Sequence, residues 1–157
     1  MPFTVQLSKE RFKFSSTHFT IFSEDRAEAL HGHNYSVSVN LEFKSLDEKT
    51  GLAAEFSDLK SIISEICDHL DEKVLLPSQS PFLNIEDENT NWKVTFANKH
   101  YSFPKMDCEV LEMVNTSSEC LAQWLHEKLE IKFQKLGATF IEVEVKETQG
   151  QSVTFRR

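Results

Sequence analysis

The stretch Leu30-His31-Gly32-His33-Asn34-Tyr35-Ser36-Val37-Ser38-Val39-Asn40-Leu41-Glu42-Phe43 decides the fold. Tyr35, Val37, Val39, Leu41 and Phe43 share one face, with Ser36, Ser38, Asn40 and Glu42 on the other. Strict alternation of this kind is a strand with one face buried. The strand is entered through His31-Gly32-His33. Residues two apart on extended backbone point the same way, so both imidazoles face one point. Gly32 lets neighbouring backbone pass close without meeting a Cβ.

Upstream, Phe3, Val5 and Leu7 alternate with polar residues, and Phe12, Phe14 and Phe19 continue the pattern. This predicts a first strand, broken near Ser8-Lys9-Glu10, pairing with the second as an antiparallel hairpin. Downstream the period changes. Phe56, Leu59, Ile63, Ile66 and Leu70 recur at helical steps, with Ser57-Asp58 as the start. A second helix is expected near Ser118. Thr116-Ser117-Ser118-Glu119 fits a capping box, Leu121, Trp124, Leu125 and Leu129 form an apolar stripe, and Gly137 is the stop. Ile141, Val143 and Val145, then Val153 and Phe155, predict two last strands around a turn at Glu147-Thr148-Gln149-Gly150. Between the helices, Pro77-Ser78-Gln79-Ser80-Pro81 is loop chemistry. Trp92, Val94 and Phe96, then Tyr101 and Phe103, predict a hairpin inserted over about 78–108 with a turn at Asn98-Lys99. The order β-β-α-(hairpin)-α-β-β is an α+β arrangement in one domain, 1–157.

Composition narrows the function. The chain has 157 residues, 17 Lys plus Arg against 25 Asp plus Glu, and a formal charge of −8. That charge opposes non-specific binding to nucleic acid or an anionic membrane. Only 4 glycines and no GxGxxG or GxxxxGK[ST] string argue against a glycine-loop nucleotide site. Cys67, Cys108 and Cys120 are odd in number and form no CxxC, which suits reduced thiols in the cytoplasm. No basic-then-apolar leader and no long apolar run is visible, so neither export nor a membrane span is expected.

Six histidines are the oddity. His18 lies on the first strand and would face His31 and His33 across the hairpin. Three converging imidazoles with a free fourth position describe a catalytic zinc site. A cupin barrel also uses a His-x-His pair on a strand, but two long helices and few glycines oppose an all-β barrel. His69 and His126 fall among charged neighbours on helices and are expected to be solvated, and His100 sits in the inserted turn.

Phe14-Ser15-Ser16-Thr17-His18-Phe19 and Leu30-His31-Gly32-His33-Asn34-Tyr35 resemble the 6-pyruvoyltetrahydropterin synthase and 6-carboxytetrahydropterin synthase family. Gly51, Glu55-Phe56-Ser57-Asp58-Leu59-Lys60, Leu70-Asp71, Asn115-Thr116-Ser117-Ser118-Glu119 and Val145-Lys146-Glu147-Thr148 extend the resemblance in order. It implies the tunnelling fold: a four-stranded antiparallel sheet with two helices on one face, three subunits closing a barrel and two trimers stacking into a homo-hexamer. It implies His18, His31 and His33 as zinc ligands and Glu147 as the pterin anchor, with Ser117 and Ser118 against the pterin. Asp71 is carried over as a catalytic residue. The substrate implied is 7,8-dihydroneopterin triphosphate, and the products seen in such a family are 6-pyruvoyltetrahydropterin or 6-carboxytetrahydropterin. Without the resemblance, Glu147 reads as a turn residue and the serines as helix caps.

Two positions depart from the pattern. The family's cysteine, four residues before His-Gly-His, is Ala27 here, and the histidine of its Leu-Asp-His string is Glu72. Glu28, three residues before His31, resembles the subgroup of malaria parasites and some bacteria in which a glutamate replaces the cysteine. That subgroup makes 6-hydroxymethyl-7,8-dihydropterin, a folate precursor. A carboxylate near zinc and a desolvated ring is expected to have a raised pKa and to act as general base. The departures leave a catalytically silent pterin-binding homologue as the alternative.

Overall fold

A computed structural model describes residues 2–157. In chain order the elements are β1 (Phe3–His18), β2 (His31–Phe43), α1 (Phe56–Leu70), β3 (Lys73–Pro77), β4 (Leu83–Glu88), β5 (Asn91–Phe96) and β6 (Lys99–Pro104). A 3₁₀ turn at Lys105–Asp107 leads to β7 (Cys108–Leu111), α2 (Ser118–Lys135), β8 (Ala138–Thr148) and β9 (Gln151–Arg156). The fold is α+β as expected, with a larger main sheet. Its order is β7-β3-β1-β2-β8-β9. The four central and right-hand strands are antiparallel, while β3 and β7 add a parallel edge beside β1. These two strands escape sequence reading because four or five residues, with Lys73 and Glu109 among them, are too few to show a period.

The second strand is as its alternation predicts: Tyr35, Val37, Val39, Leu41 and Phe43 are all fully buried. The break in β1 is a bulge, since register is lost between Ser8 and Lys13 while the strand continues. Both helices cover one face, α1 against β1 and α2 against β8 and β9. Leu59, Ile63, Cys67 and Leu70 meet Leu121, Leu125, Leu129 and Phe133 and the inner face of the sheet in one core.

Helix starts differ from expectation. α1 begins at Phe56 behind Glu55, without a side-chain cap, and Phe56 is 56% exposed rather than part of the stripe. The N-cap of α2 is Ser117, which accepts from the Cys120 N–H. Thr116 instead turns inward and donates its hydroxyl to Phe19 O. Gly137 follows α2 with φ 93° and donates to Gln134 O, a glycine stop as read. The insertion is a three-stranded antiparallel sheet, β4-β5-β6, rather than a hairpin. β4 was unreadable because Leu83 and Ile85 are followed by a solvated Glu86-Asp87-Glu88.

His126 is the other reversal. It is fully buried, donates Nε2–H to Ile141 O at 3.1 Å and meets the Phe155 ring edge-on at 5.0 Å. Charged sequence neighbours hide a residue that faces the sheet every third or fourth step. His69 is exposed as expected; His100 is exposed too, on β6 rather than in the turn.

Candidate metal and pterin site

Parity builds the site. Residues 31, 33 and 35 share a face with the apolar stripe of β2, so the stripe passes from Tyr35 into His33 and His31 at the open end of the core. On β1, Phe12, Phe14 and Ser16 are buried on that same side and His18 ends the row. His18 pairs with His31 and Ser16 with His33 across the hairpin. Gly32 sits against β1 so closely that a Cβ would lie 3.3 Å from Ser16 O. On β8, Val143 and Val145 are buried and Glu147 continues their row. The predicted turn is shorter than read: β8 runs to Thr148. Register slips between Lys146 and Thr148, a bulge that aims Glu147 at the histidines.

The donor atoms of His18, His31 and His33 all lie within 4.8 Å of one another, the one such convergence among the described residues. His18 Nδ1 lies 2.8 Å from Thr116 O and His31 Nδ1 lies 2.7 Å from Ala29 O. A carbonyl only accepts, so both Nδ1 atoms carry the proton and both Nε2 atoms present lone pairs. His31 Nε2 and His33 Nε2 are 2.8 Å apart, a separation that a shared proton or a cation must bridge. Burial is the main cause that lowers the His18 pKa, against the pull of Thr116 O and Glu147, and it keeps the ring neutral. His18 and His31, each oriented from behind by a carbonyl, and His33 beside them form a donor set that suits a divalent cation.

Glu147 closes the cluster. Its Oε1 is 3.3 Å from both His18 Nε2 and His33 Nε2. Tyr35 donates to the same oxygen at 3.3 Å and Ser118 donates to Oε2 at 3.3 Å. Tyr35 is fully buried, and burial together with Glu147 holds its phenol protonated. Beside Glu147 opens a cleft of about 480 Å³ lined by Thr20, Phe22, Ser117, Ser118 and Val153. A larger hollow of about 730 Å³ between α1, β7 and α2 holds none of these groups. A third hollow, of about 470 Å³, touches His33 from the side of Thr17 and Lys73. We take the cleft beside Glu147 as the chemical site, because the carboxylate that lines it also meets His18 and His33.

Glu28 stands at the rim, its Oε2 3.9 Å from His31 Nε2. The Thr20 N–H donates to that oxygen at 2.9 Å, and the Glu28 N–H donates to Thr20 O. Burial pushes the Glu28 carboxyl upward, but hydrogen bonds from Thr20, helped by the charge that His31 and His18 carry when protonated, outweigh it and hold it below the usual range. This reverses the expected raised pKa: the loop supplies a donor that sequence reading did not foresee. Ala27, next door, turns to the apolar side of the loop against Phe19, Ile21 and Phe96.

Asp71 is not brought to the imidazoles. Its Oδ1 accepts from the Ser15 N–H at 2.7 Å, at the end of α1. Glu72 takes a left-handed φ of 57° and donates its N–H to Ser15 O. Tyr35, Thr116, Ala29 and Thr20 are the site residues that motif reading misses. Only Tyr35 had a usable signal, its shared parity with His31 and His33.

A model of the 6-pyruvoyl tetrahydropterin synthase family matches residues 6–157. The chain belongs to that family. As a 6-pyruvoyltetrahydropterin synthase-like lyase it has relatives in archaea and in malaria parasites. A Methanocaldococcus jannaschii protein provisionally named 6-carboxy-5,6,7,8-tetrahydropterin synthase is 31% identical over 151 residues, covering 92% of this chain and 90% of its own. The solved 6-pyruvoyltetrahydropterin synthase of Plasmodium vivax is 32% identical with a TM-score of 0.87, covering 100% of this chain and 98% of its own. The Plasmodium falciparum synthase is 30% identical with the same TM-score, covering 99% and 98%. Two further Plasmodium vivax structures are described as catalytic-residue mutants, with alanine or cysteine in place of a glutamate. The tunnelling-fold architecture is shared with these synthases. No helix among the described residues is long and apolar enough to cross a membrane.

Proposed function

We propose that this chain is a zinc-dependent lyase that converts 7,8-dihydroneopterin triphosphate to 6-hydroxymethyl-7,8-dihydropterin, with 6-pyruvoyltetrahydropterin and 6-carboxytetrahydropterin as the other products its family makes. The observation that carries this reading is the Glu28 carboxylate, ionised and 3.9 Å from His31 Nε2, where Ala27 offers no thiol. The likeness to synthases with a catalytic glutamate supports it.

In this reading His18, His31 and His33 hold zinc through their Nε2 atoms. Bound zinc supplies Lewis acidity toward substrate hydroxyls. Glu147 receives the pterin: two carboxylate oxygens meet two parallel N–H donors on one edge of the ring. Ser118 and Tyr35 fix the plane of that carboxylate, and Ser117 lies beside it in the cleft. With His18 Nε2 engaged, the one Tyr35 hydroxyl hydrogen has Glu147 Oε1 as its remaining acceptor. Glu28 takes the proton from the substrate side chain. Its low pKa keeps it ready at neutral pH, and the Thr20 N–H holds the accepting oxygen in place. Asp71 contributes at a distance, through Ser15 and the line of β1.

We place the enzyme as a homo-hexamer in the cytoplasm, acting as one pterin synthase-like domain over 1–157. The open edges of β9 and β7 favour pairing between copies. Cys67, Cys108 and Cys120 are unpaired, which suits a reducing compartment. The test is to incubate the zinc-loaded chain with 7,8-dihydroneopterin triphosphate and weigh the pterins formed. Hydroxymethyldihydropterin is expected, with a loss of at least ~100-fold in kcat for Glu28→Gln, the size of a general-base term. Pterin binding without turnover would leave a silent binding homologue in its place.

A further inference from the structure

The inserted sheet has no part in the chemistry proposed above, yet its apolar face touches the site in one place. Phe96 of β5 and Tyr101 of β6 pack on Phe19, Ile21, Ala27 and Leu30. Tyr101 stacks on Phe19 with centroids 5.8 Å apart and planes at 26°, and Phe96 meets the same ring at 6.2 Å. Phe19 follows His18, Ala27 precedes Glu28 and Leu30 precedes His31 in the chain. Phe19, Ala27 and Leu30 are therefore each covalent neighbours of a proposed site group.

The segment between β1 and β2 folds as a narrow ribbon. Ile21 bridges Ala27, and Thr20 and Glu28 exchange hydrogen bonds. One face of the ribbon carries Phe19, Ile21 and Ala27, and the opposite face carries Thr20 and Glu28. The apolar face is seated on the insertion, and Phe19, Ile21 and Phe96 are buried there. On the polar face Thr20 lines the cleft and the Glu28 carboxylate turns toward His31. The remainder of the insertion is rooted elsewhere: Val94 is buried against Leu76 and Cys108 of the parallel edge strands. The insertion thus joins the rigid edge of the main sheet to the ribbon.

We propose that the inserted sheet is the positioning element for Glu28, acting through the stack of Tyr101 and Phe96 on Phe19. It holds the ribbon in the register that turns Ala27 to the apolar side and Glu28 toward His31. The proposal rests on the reading of Glu28 as the base. Asn115 also grips this ribbon, accepting from Ile21 N–H at 3.1 Å and donating to Ile21 O at 2.8 Å. That clamp, with the Thr116 hydroxyl on Phe19 O, holds the Phe19–Ile21 limb, so loss of the stack loosens the Glu28 limb without unravelling the whole ribbon.

The test uses the zinc-loaded full chain with Tyr101→Ala and Tyr101→Phe. The Tyr101 hydroxyl makes no hydrogen bond among the described residues, so phenylalanine keeps the stack and alanine removes it. In Tyr101→Ala, amide exchange at Thr20 and Glu28 accelerates on the order of tenfold, while amides of β8 do not change. On 7,8-dihydroneopterin triphosphate, kcat falls ~10- to 100-fold with KM nearly constant, the cost of a group displaced by about 1 Å. Tyr101→Phe restores both. Unchanged exchange at Thr20 and Glu28 overturns the proposal, and so does faster exchange with an unaltered kcat. A wild-type chain that turns over no substrate defeats the reading of Glu28 instead, and the exchange result still decides whether the insertion holds the ribbon.

Discussion

His18 is almost wholly buried and its Nδ1–H is committed to the Thr116 carbonyl. Its pKa is lowered chiefly by burial, so the unfolded chain binds a proton more readily than the native one. Stability tied to this group is therefore complete above about pH 6.5, the ordinary imidazole value, and is lost as pH falls from there toward the lower native pKa. Thermal melts of the metal-free protein at pH 7.5 and 5.5 check this. The Tm is expected to drop at the lower pH, and His18→Gln is expected to shrink the difference. The same proton competes with a metal, so zinc affinity measured by titration weakens over the same interval.

At the scale of elements, the metal trio depends on how tightly β1 and β2 approach. A Cβ at position 32 would press on Ser16 O at 3.3 Å, between the two histidines of β2. Gly32→Ala is expected to spread the strands by a few tenths of an ångström and weaken zinc or cobalt binding about tenfold, within the range seen when ligand support is disturbed. A metal titration of the variant decides it, and an unchanged affinity removes the close approach as a cause. Much of this element was readable. Period-two residues from Tyr35 to Phe43 give the strand, and His31 and His33 give its functional end. Alternation alone puts Glu147 in a turn, because a bulge leaves no mark on the hydrophobic pattern. The positions of Asp71 and Glu28 depend on hydrogen bonds to Ser15 and Thr20, 56 and 8 residues away, and no periodic pattern marks either contact. The sequence puts His126 in solvent because a helix residue with charged neighbours gives no sign of which side the sheet lies on.

Over the whole molecule, a chain at −8 is proposed to take a triphosphate. Long-range repulsion slows the encounter of like charges, and salt screens it over about 10 Å at 0.1 M. Raising ionic strength from about 0.02 to 0.15 M is therefore expected to raise kcat/KM, or leave it level, where an enzyme with a basic field would lose activity. Steady-state rates across that range test the sign. A steep fall would mean that subunit association assembles a basic surface that one chain lacks.

The parallel pairing of β3 with β7 has a consequence for how this protein can be shortened. Val74 lies beside Cys108 and Pro77 beside Leu111, so the chain leaves β3 at one end of the pair and must re-enter β7 at the other. A hairpin turn cannot make that return, and parallel neighbours need a crossover of about a dozen residues or more. Trimming residues 78–107 to a tight loop would thus detach the sheet edge along with the extra strands. Engineered or natural variants can vary the length of this connection, but they cannot dispense with it while both edge strands remain.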